Sequence, residues 1–197
     1  MSQPSDRSTD AAAGPRVRKG SAVGQRLRFR HVEPSDAEFI LRLRTDERKG
    51  RHLSPTSPDI EAQRRYLEGY ASSTDQAYFV IELLDGTPVG TIRIYDPQGS
   101  SFCWGSWILA DHAPKSSAVE STLMIYRYGL ELGFDRSHFD VRKANEKVWQ
   151  YHERCGARRT GETDIDYFYA IDRDAIEQLF ARYQSRIPNG IHVQFDS

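Results

Sequence analysis

Cysteine is scarce in this sequence: of 197 residues only Cys103 and Cys155 are cysteines. Two thiols without a secretory leader exclude a disulfide framework and fit a reducing compartment. No apolar run approaches the ~18 residues that a membrane span needs, so a cytoplasmic location without a membrane partner is expected. Charge of one sign is lacking as well. Twenty-seven Lys and Arg face 28 Asp and Glu, for a formal net charge of -1, which argues against a nucleic-acid partner. Gly-x-Ser-x-Gly, a phosphate loop ending in Gly-Lys-Ser/Thr and a dinucleotide glycine pattern are all missing. Asp111, His112, His138 and Asp140 fall at no recognised metal-ligand spacing, so no metal is expected. No internal repeat is visible.

One α/β domain is what the remaining pattern supports. Residues 1–24 are rich in Ser, Ala, Gly, Pro and Arg without a hydrophobic period, which predicts a disordered tail. Leu27 and Phe29 alternate with Arg28 and Arg30 as in a half-buried strand. Ser35 or Asp36 is placed to cap a helix that turns Phe39, Ile40 and Leu43 inward. A breaker-rich loop over 48–58 leads to a second helix with Ile60, Tyr66, Leu67 and Tyr70 as apolar positions. Residues 77–84, the Asp85-Gly86 turn and residues 89–95 form a hairpin. Beyond residue 157 two closing strands and a helix capped by Asp172 are predicted. In 188–197 Ile191, Val193 and Phe195 alternate, which fits either a short edge strand or a homodimer contact.

Residues 101–157 organise the rest: strand, polar loop, helix, strand, short loop, helix. Two apolar strands joined by a helix make a crossover unit whose strands lie parallel. Val119, Leu123, Tyr126 and Leu130 put one apolar face on the first helix. Its start, after small polar residues, offers unpaired backbone N–H groups to an anion. Gly105 and Ser106, set between Trp104 and Trp107, suit a bulge.

The segment around Leu132-Gly133, residues 139–141, Asn145 and Gly156 resembles the end of the acetyl-coenzyme-A-binding core of GCN5-related N-acetyltransferases (GNAT). The likeness extends over about 26–169. It is closest in flavour to ribosomal-protein alanine and aminosugar-nucleotide acetyltransferases. The resemblance implies a single acyl-CoA N-acyltransferase domain over 25–187. Its sheet would be mixed, mainly antiparallel and twisted, with about seven strands, helices on both faces, and a parallel pair splayed at Trp107 and Phe139.

It also implies roles for particular residues. The pyrophosphate of acetyl-CoA would lie on Lys115, Ser116, Ser117 and Ala118, where the family's usual glycines are absent. Small serines and backbone N–H groups can still serve there. Asn145 would touch the pantetheine arm, or simply cap its helix. Backbone N–H groups of Trp107, Ile108 and Leu109 would polarise the thioester carbonyl. His152 stands where relatives carry the tyrosine that protonates the departing thiolate, with Tyr151 as the spare. Asp140 would receive the amine proton, with Glu120 as a competing base. Arg48, Arg51 and His52 would line the acceptor side. The expected activity is acetyl transfer from acetyl-CoA to a primary amine by direct attack, the acceptor being a small molecule such as an aminosugar nucleotide. Acetylation of a protein N-terminus or side chain is the alternative, as is a catalytically weak CoA-binding regulatory module.

Overall fold

The computed structural model describes residues 14–50 and 56–196. Among these, nine strands form one sheet: β1 Gly20–Val23, β2 Leu27–His31, β3 Ala77–Leu83, β4 Pro88–Gln98, β5 Ser101–Leu109, β6 Arg136–Arg142, β7 Arg158–Glu162, β8 Asp166–Asp172 and β9 His192–Phe195. Five α-helices accompany them: α1 Ala37–Thr45, α2 Ile60–Ala71, α3 Ser117–Glu131, α4 Glu146–Arg154 and α5 Arg173–Tyr183. The strand order is β7-β8-β6-β5-β4-β3-β2-β1-β9. Among the described strands only β5 and β6 pair in parallel, because α3 carries the chain back across the sheet between them.

Two strands exceed the seven expected, and both lie at one edge. Residues 20–23 belong to the stretch assigned to a disordered tail, yet they pair with β2 on one side and with β9 on the other. Gly20 permits this, since a Cβ there would lie 2.2 Å from the Gln194 carbonyl oxygen. Val17 is buried in the main core, and the Tyr128 hydroxyl donates to the Arg18 carbonyl at 2.7 Å. These anchors are long-range, so no local period announces them. The C-terminal segment supplies the edge strand β9.

The sheet separates two cores. On one face α3 and α5 cover Phe29, Phe79, Ile92, Ile94, Phe102 and Phe139. On the other, α1 and α2 cover Val32, Tyr78 and Val80. Cys103 and Cys155 are free and buried.

Candidate active site

The β5–β6 ladder is short. Ser101 pairs with Arg136, Phe102 with Ser137 and Cys103 with His138, and there it ends. The strands therefore part at Trp104 and Phe139, three residues earlier on β5 than the expected Trp107. The cause is visible in β5 itself. Gly105 opposes Arg93 and Ile108 opposes Thr91, so β5 carries an extra residue against β4. That bulge falls at Ser106, whose φ is +48°, and Thr91 Oγ1 donates to the Ser106 carbonyl at 2.8 Å. A bulge bends its strand and turns it from its neighbour. Gly105 leaves room beside it, because a Cβ there would lie 3.1 Å from the Tyr95 hydroxyl.

A cavity of about 230 Å³ fills the gap, lined among others by Trp104, Trp107, Asp140, Asn145 and His152. Alternation along β6 sends Phe139 and Val141 into the core and Asp140 to the opposite, exposed side. Asp140 thus shares the α1–α2 face with Tyr95 and Arg44, and makes no ion pair among the described residues. The gap is accordingly lined from both faces of the sheet.

His152 lies at its inner wall, 3% exposed, with Phe139, Trp104 and Trp107 ring centroids at 4.4, 5.2 and 6.3 Å. Burial among these rings pushes its pKa down to about 3, because a charged imidazole would lose its water without gaining a partner. Its Nδ1 is buried and has no hydrogen-bond partner among the described residues. Of the two forms that could serve as a proton donor, the neutral imidazole is therefore the resting one at neutral pH. Tyr151 turns away from the cavity: its hydroxyl reaches Thr122 Oγ1 at 2.9 Å and the Ala118 carbonyl at 3.2 Å. Burial raises its pKa, so it keeps its proton and joins α4 to the first turn of α3.

Glu120 is no base at this site. Its Oε1 accepts from the Arg26 and Leu27 amides at 2.7 and 3.0 Å, and the residue is 5% exposed. Its position one turn into α3 points it at the start of β2, not at the gap. Asn145 occupies the N-cap position of α4 without a side-chain cap bond, so its amide is available to the cavity it lines. Trp107 lines the gap, whereas Ile108 and Leu109 have passed it and pair with Thr91 and Gly90 of β4.

The start of α3 has the features an anion needs, in altered form. The Ser117 amide bonds the Pro114 carbonyl and the Glu120 amide the Ser116 carbonyl, which leaves the Ala118 and Val119 amides for an outside acceptor. Ser116 takes the cap position without a side-chain cap bond. Ser117 is 1% exposed and its buried hydroxyl has no partner among the described residues, so it is not presented to a surface phosphate as expected. Lys115 is exposed. The groups here that could hold a diphosphate are the Ala118 and Val119 amides, Ser116 and Lys115.

Arg48 is drawn off elsewhere: it pairs with Asp111 at 3.0 Å, next to the Lys49–Asp111 pair at 2.8 Å. Arg51 and His52 lie outside the described residues. From the α1–α2 side Arg44 and Tyr95 line the gap, while Arg93 and Tyr66 line the space next to it. Tyr66, expected on an apolar helix face, is 45% exposed and accepts from Arg93 Nη1 at 3.3 Å. Arg93 and Tyr95 alternate with the buried Ile92 and Ile94, a period-two signal that marks them as facing the other layer.

Comparison with known proteins agrees with this architecture. Residues 26–158 match the family model described as an acetyltransferase (GNAT) domain. No curated protein matches the chain. Among solved structures, apo FdhC, described as a nucleotide-linked sugar GNAT, is 35% identical over 87% of this chain and 98% of its own, with a TM-score of 0.73. A GCN5-related N-acetyltransferase from Brucella melitensis shares the fold at 18% identity, covering 88% and 89% of the two chains, with a TM-score of 0.71. A spermidine N-acetyltransferase from Vibrio cholerae, solved with CoA and spermine, does so at 17% identity, covering 77% and 98%, with a TM-score of 0.69.

Proposed function

The chain belongs to the acetyltransferase (GNAT) family and is an acyltransferase; from that premise we propose that it moves an acetyl group from acetyl-CoA to a primary amine of a small molecule. The observation that carries this reading is the gap past Cys103 and His138, which residues from both faces of the sheet line. Acetyl-CoA would supply the activated thioester. Its diphosphate fits the amides of Ala118 and Val119 with Ser116 and Lys115, and Asn145 faces the path of its arm. The buried, unpartnered Nδ1 of His152 and the unladdered edge of β5 are polar groups that a ligand in the gap would satisfy.

On the other face Asp140 receives a proton from the acceptor ammonium, which frees the nitrogen lone pair for attack. Held on opposite sides of one opening, acceptor and donor meet directly, and no side chain need carry the acetyl group. Backbone N–H groups at the bulge around Trp107 stabilise charge on the carbonyl oxygen. His152, neutral, offers an N–H hydrogen bond to the departing sulfur. The sulfur takes the second proton that the nitrogen sheds as the amide forms.

An aminosugar nucleotide is the acceptor that we favour. The support is the 35% identity to a protein described as a nucleotide-linked sugar GNAT, over nearly the whole of that chain. The test is acetyl transfer to a panel of amines, followed by release of free thiol, beside a thermal-shift measurement with CoA. CoA at 100 times its Kd should stabilise the protein by about 2.7 kcal/mol. Stabilisation by CoA without turnover of any amine would support a binding module instead. Absence of both would end the assignment.

A further inference from the structure

A second cavity, of about 490 Å³, lies between α2 and β4 and meets the gap at Arg44, Tyr95 and Ser106. Its described lining contains two cations, Arg44 and Arg93, and no carboxylate. Among the described residues Arg93 forms no ion pair and its buried Nε has no hydrogen-bond partner. The guanidinium lies over the Tyr95 ring at 4.7 Å and gives one N–H to the Tyr66 hydroxyl at 3.3 Å. Neither contact neutralises it. A half-buried cation without a counter-ion is costly to hold, and a planar fork of donors is matched by the oxygens of a phosphate. A second cationic group in this space, as on a polyamine, would meet repulsion from both arginines.

We infer that this cavity is the subsite for a phosphate or diphosphate carried by the acceptor, read by Arg93 from β4 and Arg44 from α1. The inference rests on the acetyl-transfer reading of the adjoining gap and assigns its acceptor a negative charge. Bound there, the phosphate holds the acceptor on the α1–α2 face, where Tyr95 and Asp140 flank the opening to the thioester. Tyr66, on the rim, offers a ring and a hydroxyl to whatever the phosphate is attached to.

Calorimetric titration tests it, using the full chain with and without saturating CoA. Two probes, uridine diphosphate and glucosamine 6-phosphate, separate a nucleotide-linked acceptor from a simple sugar phosphate, according to which binds more tightly. Arg93→Gln should weaken the better probe roughly 10- to 100-fold and leave the Kd of CoA unchanged. Arg93→Lys should fall between. Arg44→Gln, on another element, should weaken the same probe and serves if Arg93→Gln does not fold. Equal probe affinity in wild type, Arg93→Gln and Arg44→Gln overturns the subsite, as does failure of both probes to bind or their displacement by CoA. If CoA does not bind but Arg93-dependent probe binding persists, only the acetyl-transfer reading falls. If acetyl transfer proceeds and Arg93→Gln leaves every acceptor's KM unchanged, only the subsite falls.

Discussion

Trp107 donates its indole N–H to the Ser121 hydroxyl at 3.1 Å, and that hydroxyl donates in turn to the Ser117 carbonyl at 2.6 Å. The strand that bulges open is thereby fastened to the helix whose first turn would hold the diphosphate. One side chain thus sets both halves of the proposed donor site. Replacing Trp107 with Phe keeps the ring and removes the donor. The expected loss of stability is about 1 kcal/mol, together with a raised KM for acetyl-CoA and a smaller change in kcat. Denaturant melts and initial-rate kinetics would show this, and an unaltered KM would count against the coupling.

Asp140→Asn tests the base. Asp140 is exposed and outside any ion pair among the described residues, so the variant should melt within about 0.5 kcal/mol of wild type. Its kcat/KM at pH 7 should fall about 10²- to 10⁴-fold. The deficit should narrow at higher pH, where the acceptor amine sheds its proton to solvent. A flat deficit across the pH–rate profile would assign Asp140 to acceptor placement, not proton transfer.

Glu120 should behave as a strut. Glu120→Ala strands the Arg26 and Leu27 amides and should cost about 2–4 kcal/mol. Glu120→Gln, which keeps an acceptor oxygen, should cost less. In both, turnover per folded molecule should be near normal. Lost turnover in a Glu120→Gln protein of wild-type melting temperature would restore Glu120 as a base.

His152 makes stability sensitive to acid. Its folded pKa of about 3 lies below the ordinary 6.5, so below pH 6.5 the unfolded chain binds a proton that the folded one refuses. Stability from this group is intact above 6.5 and falls by up to ~1.4 kcal/mol per pH unit as pH drops towards 3. Melting temperatures of wild type and His152→Gln should converge on acidification. Titration of the His152 ring near pH 6.5 by NMR would contradict the burial argument.

Several of these features could be read along the chain and others could not. The β5–α3–β6–α4 unit showed itself through apolar period, a polar helix start and Gly105-Ser106, all of which are local. The bulge was foreshadowed by those two small residues, but the chain chose Ser106 for the left-handed conformation, and the split moved to Trp104. Glu120 looked like a first-turn carboxylate awaiting work, since nothing nearby in sequence reveals that Arg26 and Leu27 approach it from 93 residues away and more. Arg48 looked free for an acceptor until Asp111 claimed it, while Arg93 was hidden inside an ordinary strand.

By itself, then, the order of residues determined the elements and the crossover, because helix and strand periods are properties of neighbours. Tertiary structure alone decided which faces meet, and so which charged groups are free. It stripped His152 of water, occupied Glu120 with backbone amides, drew residues 20–23 into the sheet and left Arg93 facing a cavity whose described lining holds no carboxylate. Those outcomes depend on solvent exclusion and on partners far away in the chain, which no local pattern encodes.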